Sequence, residues 1–185
     1  MVEILEKARK TVRGKTMLTL CAIAASVALP QLIHMIGAIS GLGTSLGEVL
    51  LPMHFFVFLV GLYAGPAAGS VTGACAPLIS FLLSGMPRAA SLPFMMIELL
   101  GYGLIAGLLS EVKINSFCKL VIAQISGRLL RAGAVLVATT VFAAEGITVA
   151  SVWSAVATGA LGIALQWCIL PLLLFRMRAL EKDRS

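Results

Sequence analysis

The sequence predicts an all-α integral membrane protein, a compact bundle of six transmembrane helices with both termini in the cytoplasm. Three observations predict it. Of the 185 residues, 59% are hydrophobic and only 12% charged, about half the charge of a soluble domain. Several apolar runs approach the roughly 20 residues that a helix needs to cross hydrocarbon. The basic residues also fall into clusters that a six-span path gathers on one side of the membrane. The net charge of +6 therefore speaks of topology. The partner it implies is a lipid bilayer, not nucleic acid.

Residues 1–15 form a basic segment. In "EILEKARKTVR" the stripe Ile4, Leu5, Ala8 and Val12 fits a short helix on the cytoplasmic membrane surface, or an ordinary basic tail. The first span covers about 16–37. Its start resembles a signal peptide, with small residues near Ala28, but the apolar run continues through "QLIHMIG" and reads as a membrane helix. The remaining spans are expected at about 49–64, 67–84, 93–111, 118–143 and 152–175, with 176–185 as a cytoplasmic tail. The second and third are short and separated only by "YAGPAAG", where Pro66 cannot continue the incoming helix. Pro52 belongs in a first helical turn, where a missing N–H costs little.

Orientation follows from charge. Lys7, Arg9, Lys10, Arg13 and Lys15 precede the first span, Lys113 and Lys119 bracket the link between the fourth and fifth, and Arg176, Arg178, Lys182 and Arg184 follow the sixth. An even number of spans puts all of them on one side, leaving the opposite loops only Arg88.

Polar side chains inside a bilayer are costly, so each requires a partner or a wet cavity. His54 and Glu98 lie about five residues inside their spans, roughly 8 Å deep at 1.5 Å per residue. Arg128 and Arg131 lie mid-span, three apart and so on one face, with Gln124 extending that side. Gln166 and Trp167 occupy the middle of the sixth span, His34 ends the first, and Trp153 begins the sixth. These groups either cancel pairwise, as an Arg–Glu pair with His54 on a backbone carbonyl, or line a pocket opening outward. Arg88 and the loops "GAISGLGTSLGE" and "SGMPRAASLP" would cover that pocket as lids, or serve as slack between helices.

Small residues recur every four positions in the first span, as Ala22 with Ser26 and Ala24 with Ala28, a pattern that lets membrane helices approach closely. That face is expected to dock another protein. Gly61, Gly65, Gly69 and Gly73 repeat the spacing across Pro66. Four cysteines, Cys21, Cys75, Cys118 and Cys168, are expected to be buried free thiols with no disulfide or zinc spacing. The sequence carries no phosphate-binding loop, no His-Glu-x-x-His and no Gly-x-Ser-x-Gly. It therefore implies neither an enzyme nor a cofactor or metal.

Four features together resemble the substrate-binding S-component of an energy-coupling factor (ECF) transporter. They are the six spans with cytoplasmic termini, the alanine-rich "CAIAASVAL", the block "LLPMHFFVFLVGLYAGPAAGSVTGACAPLISFLLSGMP", and "IELLGYGLIAGLL" followed by "ISGRLLRAG". The resemblance covers nearly the whole chain. It implies a bacterial or archaeal cell-membrane protein that captures a vitamin or similar micronutrient at the outer face. It further implies partnership with a transmembrane coupling subunit, through Ala24 and Ala28 or the Ala22 and Ser26 register, and with two ATP-binding-cassette ATPases that hydrolyse ATP. The expected ligand contacts are His54, Glu98, Arg128, Arg131, Gln166, Arg88, His34 and Trp153. The two arginines favour an acidic ligand, pantothenate-like, provided Glu98 does not occupy them; cobalamin or a precursor is the next choice. A stand-alone proton-coupled secondary transporter or channel using Glu98 is the competing class.

Overall fold

Alternating apolar runs and proline or glycine breakers produce a helical bundle in this computed structural model. It describes residue 9 and residues 11–41, 43, 45–142 and 148–182, without the side chains of residues 45 and 180–182. Eight helices are described: α1 Val12–Ile39, α2 Ser45–Leu50, α3 Pro52–Ala64, α4 Pro66–Ser84, α5 Leu92–Leu108, α6 Ser116–Val141, α7 Val149–Thr158 and α8 Ala160–Lys182. No strand occurs among the described residues. Five stretches are long and apolar enough to cross a membrane: Val12–Ile39, Leu46–Ala64, Pro66–Ser84, Ser116–Val141 and Ala160–Ala179. The expected fourth span is the apolar helix Leu92–Leu108, which at 17 residues falls short of that length.

Helix α3 is the hub. It packs against α1, α4, α5 and α8, and Val57, Phe58 and Leu62 on it are fully buried. Lipid is as apolar as leucine, so helix association here rests on close backbone approach. The four-residue glycine spacing supplies that approach. A Cβ at Gly69 or Gly73 of α4 would collide with the backbone of Gly103 or Leu99 of α5, and one at Gly107 would strike Pro66. The ridge that crosses Pro66 thus packs the chain against itself. Gln31 of α1 adds polar ties to α4, donating to Ser84 Oγ at 2.8 Å and Ser80 Oγ at 3.3 Å.

Several boundaries differ from the expectations. The surface-helix reading of residues 3–13 lies largely outside the described residues, and α1 starts at Val12 inside it. The glycine-rich first loop is shorter than its composition implied, because Ser45–Leu50 is helical. The expected sixth span is broken at Gly159, where Leu51 packs so closely that a Cβ would clash; α7 is a separate short helix and α8 carries the span. The expected tail from Arg176 continues α8 through Lys182. Lys119, counted as a loop charge, is 2% exposed. The expectation of buried thiols is corrected for Cys21, Cys118 and Cys168, which are exposed among outward-facing apolar side chains that need no protein cover in lipid; Cys75 is half-buried.

Candidate functional site

The site is built where α3, α5 and α6 meet. Helix α3 begins after Leu51, whose φ of +48° is left-handed, a conformation costing a branched residue about 1–2 kcal/mol. The break is compensated by tertiary contacts: Gln166 Nε2 of α8 donates to the Leu51 carbonyl at 3.3 Å. Gln166 also accepts from Gln124 Nε2 at 3.1 Å, and Trp167 Nε1 donates to Gln124 Oε1 at 2.7 Å. Pro52 follows at the first helical position, as the sequence required. His54 is thereby held in the first turn of α3, 5% exposed.

Nearly two turns into α5, Glu98 is fully buried and faces α6. Its Oε1 lies 2.8 Å from Arg128 Nη1, and its Oε2 accepts from Arg131 Nη1 at 2.7 Å. The three-residue spacing of the arginines puts both guanidiniums on the carboxylate, which they clasp like two jaws. Tyr102, one turn after Glu98, donates its hydroxyl to Glu98 Oε1 at 2.5 Å. Its ring lies between Phe58, at 4.9 Å between centroids, and His54, at 5.5 Å. Gly127 of α6 makes room for that ring, since a Cβ there would run into the Tyr102 edge.

Two guanidiniums share one carboxylate, so the cluster keeps one positive charge in excess. Two of its buried nitrogens, Arg131 Nε and His54 Nδ1, have no hydrogen-bond partner. Burying unpaired polar groups is expensive, and in a bilayer no water repays them from the surrounding lipid. Chemically, the arrangement can accept an anionic or hydrogen-bond-accepting group. Among the described residues no group of three His, Cys, Asp or Glu could hold a metal ion.

The structure therefore brings together Glu98, Arg128, Arg131 and His54. The condition attached to the acidic-ligand reading is met in the unfavourable sense: Glu98 occupies one nitrogen of each arginine. Other expected contacts are elsewhere. Gln166 braces the α2–α3 break. His34, half-buried, lies against Gly47 with Nδ1 unpartnered. Arg88 is exposed in the link between α4 and α5, and Trp153 on α7 is 59% exposed. Sequence reasoning missed Tyr102, although its place four residues after Glu98 on one helix was the available signal.

The small-residue face of α1 separates into two. Ala22 and Ser26 are buried inside the bundle, Ala22 in a cluster with Val60, Ala64 and Ala68. They are corrected from partner docking to internal packing. Ala24 and Ala28 face outward, between the exposed side chains of Leu20 and Leu32. No family model, curated protein or solved structure matches the chain.

Proposed function

We propose that the protein is the high-affinity substrate-binding subunit of an ECF-type importer, with six membrane spans, cytoplasmic termini and a ligand site around Glu98, Arg128, Arg131 and His54. One observation carries the reading: a buried cluster with one uncompensated positive charge and two unpartnered nitrogens inside a lipid-embedded bundle. The second arginine leaves the cluster with a charge that Glu98 alone does not balance. An anionic micronutrient, pantothenate-like, supplies the missing charge and accepts from Arg131 Nε. This ligand class now rests on the charge excess, because the guanidiniums are not free.

The orientation rests on Arg9, Arg13, Lys15, Lys113 and Arg178 gathering at one end of the bundle, the cytoplasmic end by the positive-inside rule. Leu92–Leu108 crosses as a sixth span with neighbouring helices and local bilayer thinning making up its length. The outward Ala24 and Ala28 recess on α1 is the face for a transmembrane coupling subunit, with the ATPases beyond it.

The test separates binding from uptake. The purified protein should bind the nutrient without ATP, and uptake by cells should require the coupling subunit and ATPases. Proton-driven flux by the isolated protein in liposomes would replace this reading with a stand-alone transporter.

A further inference from the structure

A second concentration of cations lies at the opposite end of the bundle, far from Glu98. An open cleft of about 340 Å³ runs between the start of α1, the α3–α4 joint and the link from α5 to α6. Arg9 and Lys15 line one side, and Arg9 lies 5.9 Å from the centroid of the Tyr63 ring. Among the described residues the carboxylate in the cleft is Glu111, 3.8 Å from Arg9 and 83% exposed, a contact long and well solvated.

Two further cations lie behind the lining at Ser110. Ser110 lines the cleft, and its carbonyl accepts from Lys119 Nζ at 2.8 Å and from Arg178 Nη2 at 3.1 Å. Two like charges converge on a single oxygen, and Arg178 Nε is buried without a partner. Gly65 caps α4 with no side-chain bond, so the positive end of that helix's dipole also opens here. Arg9 and Lys15 thus line a space that contains one described carboxylate, with Lys119 and Arg178 behind its Ser110 wall.

We propose that this cleft binds the phosphate of an anionic phospholipid headgroup. A lipid fits better than a dissolved phosphate because the cleft lies where the membrane-crossing helices end. The elements that line it also present apolar side chains to their surroundings: Val12 at 84% and Met17 at 67% exposure on α1, and Val112, Ile114 and Phe117 along the link into α6. Headgroup charge and acyl chains are both provided for. Basic pockets between membrane helices favour anionic lipid in this way.

Native mass spectrometry of the full-length protein, titrated in detergent with phosphatidylglycerol or phosphatidylcholine, tests this. The expected result is a preference for phosphatidylglycerol of about tenfold or more, reduced by on the order of tenfold in Arg9→Ala/Lys15→Ala. Arg9→Lys/Lys15→Arg should retain it, which separates charge from folding. Arg13→Ala, in the same basic segment but outside the cleft, should also retain it. Equal affinity for the two lipids would overturn the proposal and leave an acidic protein segment as the occupant. Loss in Arg13→Ala as large as in the double variant would reduce the effect to general surface charge. Displacement of the lipid by inorganic phosphate would reassign the cleft to a soluble anion.

Discussion

Replacing Glu98 by glutamine should destabilise the protein more than any other single isosteric change. The substitution keeps the volume and leaves an amide oxygen for the Tyr102 hydroxyl, so what it removes is charge. Two guanidinium contacts at 2.8 and 2.7 Å lose their anion, and the net charge of the cluster rises from one to two. Each guanidinium–carboxylate attraction is about 4 kcal/mol at 4 Å between charge centres and an effective dielectric of 20. Removing one partner of a buried pair costs about 3–5 kcal/mol in measured cases. The expected loss is therefore at least ~3 kcal/mol, read by equilibrium unfolding in mixed micelles with the fluorescence of Trp153 and Trp167. Replacing the whole cluster, Glu98→Leu with Arg128→Met and Arg131→Met, should recover stability to within about 1–2 kcal/mol, because an apolar core needs no ion pair. A loss below ~1 kcal/mol in Glu98→Gln would refute the reasoning, since it would mean water already screens the pair.

Four further outcomes follow from the same geometry. Gly127→Ala should cost about 1–3 kcal/mol in the same unfolding assay, because the Tyr102 ring its Cβ meets is 1% exposed and has nowhere to move. Gln166→Leu should cost about 1–3 kcal/mol by stranding the Leu51 carbonyl, with the loss appearing as increased proteolysis between α2 and α3. Ala22→Trp should prevent folding, as seen by loss of a monodisperse chromatographic peak. Ala24→Trp/Ala28→Trp should fold and bind ligand normally yet abolish uptake in cells.

What the sequence disclosed was set by local physics. Pro52 and Pro66 stand at breaks between apolar runs, so the α3 and α4 starts were legible, although Pro30, Pro77 and Pro171 lie inside helices. The convergence of Arg128 and Arg131 was legible too, from a spacing of three on a helix. The break at Leu51 was not: a left-handed leucine has no local signal and exists because Gln166, over a hundred residues later, satisfies its carbonyl. The break at Gly159 depends equally on Leu51 approaching from elsewhere. Ala22 and Ala24 differ by about 200° around α1. The two registers therefore had to face opposite ways, but only the position of α3 decides which one is buried. Pairing of Glu98 with both arginines was one of two arrangements that the residue types allowed. Backbone placement, invisible to spacing, selected it.

The central claim is that the uncompensated charge beside Glu98 holds an anionic nutrient. Mass spectrometry of small molecules released from the purified, denatured protein tests it most directly, comparing wild type with Arg131→Met. That variant leaves a balanced Glu98–Arg128 pair, and a monodisperse chromatographic peak checks that it is folded. The account predicts about one small acid per wild-type chain and none from Arg131→Met; no acid from wild type saturated with candidate nutrients, or the same yield from both proteins, would contradict it.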